Sequence, residues 1–394
     1  MKLGSYILIM TVLSVFICCK NEIDDRTDIY KIFISHSIDH DSIEGIIELN
    51  KIVALKNKFG DNFSLDYIDK VEFFEDVLII FNNVNDVVII FDENGFETTS
   101  ISSRTHTNLR FTDISDFSID KTKRKILILS VQNRSMYTFD LKGNFEKEKK
   151  IPFQAQTFAI DNNNKNLAFY LSYFDQDRSN LKVTDLGLNY LKYSAFKFPE
   201  NLKSMDFSSL TGSVKETSWG FLYSDAISSL IHQVKPNGDS FVKYDIKFDS
   251  LFYKESEKYR FGNFLKDISL GNVNYLTSKY EENDNYLVFS YNRRKVKQEE
   301  NTVNFKNGYY FKQKNKLYTT ESLKSTFLNS TMSSPLGKTS NGDFISVINP
   351  KSHQFNNFLN QKEYGAYSSL FKLNEKIKHQ NGEYNLLVLI YNLK

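Results

Sequence analysis

Residues 87–102 read VVIIFDENGFETTSIS: an apolar run, a polar turn closed by glycine, and a second strand-like run. The same order of parts returns at 136–152 (MYTFDLKGNFEKEKKIP), 181–199 (LKVTDLGLNYLKYSAFKFP) and 230–248 (LIHQVKPNGDSFVKYDIKF). The turn glycines are Gly95, Gly143, Gly187 and Gly238, spaced 44–51 residues apart, a period that belongs to propellers and solenoids. Apolar runs of four to six residues between turn signals are too short for helices and suit buried strands. The chain is also rich in aromatics, with 34 Phe and 23 Tyr, which favour strands.

Working outward, residues 71–75 (VEFFE), 77–81 (VLIIF) and 87–91 (VVIIF), with the exit strand after Gly95, make a four-stranded antiparallel meander, one propeller blade. A second unit starts at 117–120 (FSID), turns at 121–125 and continues with 126–130 (ILILS); a third starts at 158–161 (FAID), turns at 162–166 and continues with 167–171 (LAFYL). A fourth runs from Met205 past 219–223 (WGFLY) to Phe248, and strands resume at 273–278, 286–291, 308–312, 316–319, 343–348 and 386–391. The expected fold is all-β: a β-propeller of about six four-stranded antiparallel blades, with seven left open by the irregular last third. An open meander exposes unpaired edges, so the ring should close through its N- and C-terminal strands. Residues 29–36 (IYKIFISH) are the expected partner of 386–391 (LLVLIY), and 43–55 reads as a further pair of strands broken at Asn50. The repeat is broken at 103–111, 249–270 and 353–378.

The chain has 394 residues, and Lys+Arg 50 against Asp+Glu 48 leaves a net charge of +2. Such a balance exerts no global pull on nucleic acid, and no nucleic-acid partner is expected. At the N-terminus, Lys2 precedes an apolar stretch at 6–17 that is short for a membrane span and suits a signal sequence. It ends on Cys18–Cys19, the only two cysteines. This arrangement resembles a bacterial lipoprotein signal. Residues 1–18 are then the signal peptide, Cys19 the lipidated residue (Cys18 the alternative), 19–28 a polar tether and 29–394 the propeller. The acidic start at 20–25 (KNEIDD) also resembles an export signal to the outer face of the outer membrane. The expected place is the cell envelope, lipid-anchored to the outer membrane on its periplasmic or surface-exposed side.

The pattern F-x-I-D, I-L-I-L and F-D-x-x-G-x-F at 117–129 and 139–145 resembles the six-bladed β-propeller lipoproteins of Bacteroidota. So do residues 335–350 (PLGKTSNGDFISVINP) and the ending 383–394 (EYNLLVLIYNLK). Many members of that family carry a loop of roughly G-x-G-P-G-E before the second blade; here residues 103–111 read SRTHTNLRF, so that loop's role does not carry over. The resemblance implies an extracytoplasmic binding or accessory role.

No nucleophile elbow, phosphate loop or CxxC is present, and no catalytic residue, metal or cofactor is implied. His36 and His40 stand four apart, a spacing that joins two imidazoles only on a helix, whereas 37–42 reads as a loop. Asp113, Asp116, Asp120 and Asp161 are candidate acids for glycoside chemistry, but aspartate is also a common turn residue. Arg104, His106 and Arg110, in the loop between the first two blades, form a basic cluster suited to a carboxylate or sulfate. The basic runs at 121–125 and 293–297 read as blunted strand edges, and Trp219 as core filling. The expected function is a binding or scaffold module for an envelope protein partner or for an oligosaccharide or peptide. The rivals are a propeller-fold polysaccharide lyase or hydrolase, and a structural accessory subunit of an outer-membrane complex.

Overall fold

The computed structural model describes residues 29–39, 46–56, 68–109, 111, 113–198, 200, 212–226, 228–248, 274–293, 304–320, 323–325, 330–348 and 386–394. These form six sheets. Blade 1 spans 70–101, blade 2 116–150, blade 3 157–197, blade 4 213–247 and blade 5 275–320; each is a four-stranded antiparallel meander in sequence order. Blade 6 combines Gly337–Lys338, Phe344–Ile348, Leu386–Leu393 and the early strand Ile47–Leu55.

The unbroken apolar runs follow from this stacking. Each blade is sandwiched between two others, so both faces of its middle strands are buried. In blade 1, Val87, Ile89 and Phe91 pack toward blade 6, while Val88 and Ile90 pack toward blade 2. Ile126 and Ile128 of blade 2 face blade 1, and Leu127 and Leu129 face blade 3. Blades 3 and 4 meet through Leu181, Val183, Phe221 and Tyr223, and blades 4 and 5 through Leu222, Ile246 and Phe289. Blades 5 and 6 meet through Val288, Tyr309, Leu387 and Leu389. The outermost strands see solvent on one side and read as charged: Phe145–Lys150 (FEKEKK) is exposed along nearly its whole length. Such an edge resists pairing with another chain.

The chain ends close the ring in one blade, but the expected N-terminal partner is wrong. Leu386–Leu393 pairs antiparallel with Ile47–Leu55, not with 29–36. Tyr30–Phe33 instead lies parallel to Ser240–Lys247 on the outer edge of blade 4, and Ile38–Asp39 lies parallel to Lys316–Thr320 on blade 5. The reason is burial. In Tyr30–Phe33 only Ile32 is buried, which suits an outer edge. Ile47–Leu55 ends on the buried residues Val53, Ala54 and Leu55, which cover the closing strand. The N-terminal segment therefore passes along blades 4 and 5 before entering blade 6. Nor is Asn50 a break between two strands. The register jumps from Lys51↔Ile390 to Leu49↔Tyr391, so Asn50 is absorbed as a β-bulge inside one strand.

Closure has a second contact at the axis. The backbone N–H of Val71 in blade 1 donates to Leu336 O at 3.0 Å. Gly337 comes so close that a Cβ there would lie 1.9 Å from Val71 O. Only glycine allows this approach.

The recurring aspartates explain the turns. Asp120 and Asp161 end the inner strands of blades 2 and 3, and each Oδ1 accepts the N–H three residues on, from Lys123 and Asn164 at 2.9 Å. At the outer turns, Asp92 Oδ1 accepts from Asn94 and Phe96, and Asp140 Oδ1 from Lys142 and Asn144. This is the aspartate-turn chemistry of the F-D-x-x-G motif. Gly95, Gly143 and Gly238 take positive φ in these turns; in blade 3 Leu188, not Gly187, does so, at φ 56. The broken segments 249–270 and 353–378 lie outside the described residues, as does most of 293–297.

Candidate functional site

Inner strands from the blades surround the central axis, and many of the side chains lining it are charged. Lys70 of blade 1 pairs with Asp116 of blade 2 at 3.0 Å and lies 3.6 Å from Glu72. Lys121 of blade 2 pairs with Glu216 of blade 4 at 3.2 Å, and Lys215 of blade 4 with Glu281 of blade 5 at 2.9 Å. Burial pulls the Lys121 and Lys215 ammoniums down, but Glu216 and Glu281 respectively, together with the other acids around the axis such as Glu72, more than offset it, so both titrate above the ordinary lysine value. Lys279 has no such direct partner among the described residues: burial holds its ammonium below the usual range, with Asp69 opposing and neighbouring Lys215 adding to the shift. Little space remains at the axis, about 60 Å³.

Toward the end where the inner strands turn back, the channel widens into a cleft of about 590 Å³. Its walls are the turns after the inner strands of blades 2 to 6, with Tyr30 from the N-terminal segment. Glu282, the last residue of Tyr275–Glu282, forms a buried charge centre. Its carboxylate accepts hydrogen bonds from Lys243 Nζ at 2.9 Å, from Lys312 Nζ at 2.5 Å and from the Tyr244 hydroxyl. Burial works to raise the Glu282 carboxyl, but Lys243, Lys312 and the hydroxyl outweigh it and hold it below the usual glutamate range. Burial pushes Tyr244 well above the usual phenol value, and the Glu282 charge adds to it. Lys312 is pulled below the usual lysine value by burial, with Lys243 reinforcing and Glu282 only partly opposing the shift. Tyr30 stacks on Tyr244 with ring centroids 5.3 Å apart and backs this group.

Lys338 enters the cleft from blade 6. Its Nζ donates to the backbone carbonyls of Glu216 at 3.0 Å and Glu282 at 2.9 Å, joining blades 4, 5 and 6. Asn283 Nδ2 donates to Gly342 O at 2.9 Å and fastens the neighbouring turns of blades 5 and 6. On the cleft wall, Trp219 is 61% exposed. Gly220 follows it at φ +111, with Val234 O only 2.3 Å from where a Cβ would stand, so the turn requires glycine. Gln233 Nε2 donates to Trp219 O at 3.2 Å and to Phe221 O at 3.1 Å. The backbone beneath the indole is thus fixed while the ring faces solvent. The expectation that Trp219 fills the core is overturned: its side chain stands one residue before the strand Gly220–Ser224, on the turn, where no blade covers it.

The residues singled out from sequence lie elsewhere. Arg104 is exposed and Arg110 is outside the described residues. His106 is held on both ring nitrogens, with Nδ1 3.0 Å from Thr105 Oγ1 and Nε2 3.0 Å from Gly143 O, and its ring stands edge-on to Phe139. Neither Arg104 nor His106 lines the cleft. Asp113 accepts from Val131 N at 3.0 Å and from Ser115 and Ser130, capping the turn after the second strand of blade 2. Asp116 binds Lys70 and also Phe158 N at 2.9 Å, joining blades 2 and 3. With Asp120 and Asp161 in turns, these four carboxylates all hold structure together. His36 stands in a short 3₁₀ turn beside Phe33, and His40 lies outside the described residues. Among the described residues no three His, Cys, Asp or Glu side chains are grouped as metal ligands. Cys18 and Cys19 also lie outside them; among those described, no helix is long and apolar enough to cross a membrane.

Sequence reasoning missed Glu282, Lys243, Lys312 and Lys338, and read Lys121 as edge protection. A signal was present. Blades 2 and 3 end their inner strands on a turn-capping aspartate, whereas blades 4, 5 and 6 end theirs on Thr217, Glu282 and Lys338. The charged centre of the cleft, Glu282 with Lys243, Lys312 and Lys338, comes from those three blades, while blades 2 and 3 add Lys121 and Asn163 to the wall.

The sequence matches a family model described as a 6-bladed beta-propeller over residues 24–298. No curated protein matches it. Among solved structures, the chain is similar to a protein of Bacteroides fragilis NCTC 9343 to which export is ascribed, at 15% identity and a TM-score of 0.70, covering 93% of this chain and 99% of that one. It is also similar to a member of the duf4221 family from Bacteroides vulgatus ATCC 8482, at 11% identity and a TM-score of 0.48, covering 88% of this chain and 98% of that one. At such identities the likeness is one of fold. With the family match spanning well over half its length, and with six blades closed into a ring, the chain belongs to the DUF5128 family of 6-bladed beta-propellers.

Proposed function

We propose that the protein is an extracytoplasmic, lipid-anchored binding module that holds an oligosaccharide or peptide ligand in the turn-face cleft. The observation that carries this reading is the exposed indole of Trp219 on a braced turn, in the wall of a recess of about 590 Å³ whose other lining residues, Tyr30 apart, are mostly Lys, Glu, Asp, Asn, Ser and Thr. A large aromatic left in water beside convergent polar groups is the composition of a recognition site. The signal-like N-terminus ending on Cys18–Cys19 supports anchorage at Cys19, with Cys18 as the alternative. From Cys19 to Tyr30 the backbone spans at most about 35–40 Å. Since Tyr30 stands in the cleft wall, the cleft works within that reach of the lipid-bearing membrane. Envelope peptides and glycans are the partners available there.

Calorimetric titration with oligosaccharide and peptide panels tests the binding role. Trp219→Ala should weaken the bound class about tenfold, or about 1.4 kcal/mol. Its thermal midpoint should hardly move, as expected for an exposed position. Undiminished affinity in the variant contradicts the cleft as the site. Anchorage is tested by fractionation: Cys19→Ser should release the protein, and continued membrane association after both cysteines are replaced contradicts it.

A further inference from the structure

The charges of the cleft do not balance: Lys121, Lys243, Lys312 and Lys338 line it against Glu216, Glu282 and Asp284. Lys243 and Lys312 share the single carboxylate of Glu282, while Lys121 and Glu216 neutralise each other. Lys338 has no carboxylate partner among the described residues; an ammonium has three donors, and two of them go to backbone carbonyls. Asp284 is the remaining acid, on an exposed turn at the rim. Around Glu282, then, two ammoniums share one carboxylate, and a third, from blade 6, rests on its backbone carbonyl. Their stems are constrained: the Lys312 side chain is only 9% exposed, and the two carbonyl bonds fix Lys338. Concentrating uncompensated positive charge in a partly buried recess is costly unless an anion completes it.

We propose that the ligand of this cleft is an acidic saccharide, with a uronate carboxylate received by Lys338 beside Lys243 and Lys312 and a sugar ring lying on Trp219. This rests on the cleft reading above and narrows its ligand. Burial, with Lys243 beside it, displaces the Lys312 ammonium downward against the opposing charges of Glu282 and Asp284. A saccharide is favoured over a peptide by the wall chemistry. Asn285, Asn341 and Ser340 offer amide and hydroxyl groups suited to sugar hydroxyls. The walls are turns, so they offer a peptide no open strand edge to extend.

The test uses the full mature chain and isothermal titration with three probes: uronate oligosaccharides (galacturonate, glucuronate and mannuronate series), their neutral counterparts of equal length, and an oligoglutamate peptide. Expected is binding of at least one uronate series about tenfold or more tighter than its neutral counterpart, weakening as salt is raised. Lys338→Met should remove most of that preference, whereas Lys338→Arg should retain part of it. The wild-type comparison needs no variant, so a folding defect in Lys338→Met cannot hide the answer. Equal binding of neutral and acidic sugars overturns the anionic assignment and leaves the cleft reading standing. Binding of oligoglutamate without any uronate overturns the saccharide assignment. Failure of all the uronates to bind folded protein overturns the proposal, whatever else the cleft accepts.

Discussion

Leu389 and Ile390 are adjacent in the closing strand, yet their side chains act at different seams of the ring. Leu389, 1% exposed, packs with Val288, Tyr309 and Phe344 at the blade 5–blade 6 seam. Ile390, 4% exposed, packs with Val71, Leu78 and Ile89 at the blade 6–blade 1 seam. Truncating such a buried side chain to alanine costs about 2–5 kcal/mol, from lost burial and the cavity left behind. We expect about 3 kcal/mol for each of Leu389→Ala and Ile390→Ala. Since the two side chains share no cluster, the double variant should lose close to the sum, about 6 kcal/mol. A domain holds only about 5–15 kcal/mol in total, so the double variant should approach the unfolding threshold. Phe33→Ala, on the N-terminal outer-edge strand and 41% exposed, serves as the contrast and should stay within about 0.5 kcal/mol. Equilibrium urea unfolding followed by circular dichroism measures all four. If the closing-strand variants unfold at the wild-type midpoint, or Phe33→Ala costs as much as they do, closure through Leu386–Leu393 is refuted.

Three further outcomes follow from the same contacts. Gly337→Ala forces a methyl toward Val71 O and should cost about 1–3 kcal/mol as an overpacking strain, read as a lower urea midpoint; an unchanged midpoint contradicts the close approach. Glu282→Gln leaves Lys243 and Lys312 without their carboxylate and should cost about 3–5 kcal/mol, with Lys312→Met in the same background recovering part; strictly additive losses would deny the coupling. Burial raises Tyr193 and Tyr310 to about 12, and lifts Tyr170, Tyr223 and Tyr309 above the usual phenol value as well. The unfolded chain ionises first, so stability is complete below about pH 10 and is lost as pH rises through about 12. Tyrosinate absorbance should therefore rise together with unfolding; full ionisation in a still-folded protein contradicts this burial.

The fold was legible because burial writes itself into sequence. Strands covered on both faces read as unbroken apolar runs such as VVIIF and ILIL, and the glycine turns at Gly95, Gly143, Gly187 and Gly238 mark the blade period. Pairing across the ring was less legible. YKIF and IELNKIVAL both read as strands, and only their covered faces separate an outer-edge strand from a closing one. The bulge at Asn50 imitates a turn because both place a polar residue between apolar ones. The cleft was hidden for a different reason. Lys243, Glu282, Lys312 and Lys338 are scattered along the chain, and each alone resembles an ordinary surface charge; stacking the blades brings them together. Trp219 was misread because WGFLY is apolar in sequence, although the strand, and with it the covered surface, begins only at Gly220.

Trp219 is the only tryptophan in the chain and stands in the wall of the proposed site, so its emission reports on that site alone. The most direct measurement is a fluorescence titration of the wild-type protein with the uronate oligosaccharide that calorimetry finds bound, paired with acrylamide quenching. A saturable change in emission at the calorimetric midpoint, with the indole protected from acrylamide in the complex, is the predicted result. Calorimetric binding that leaves both the emission and the quenching of Trp219 unchanged would place the ligand elsewhere on the ring and contradict the account.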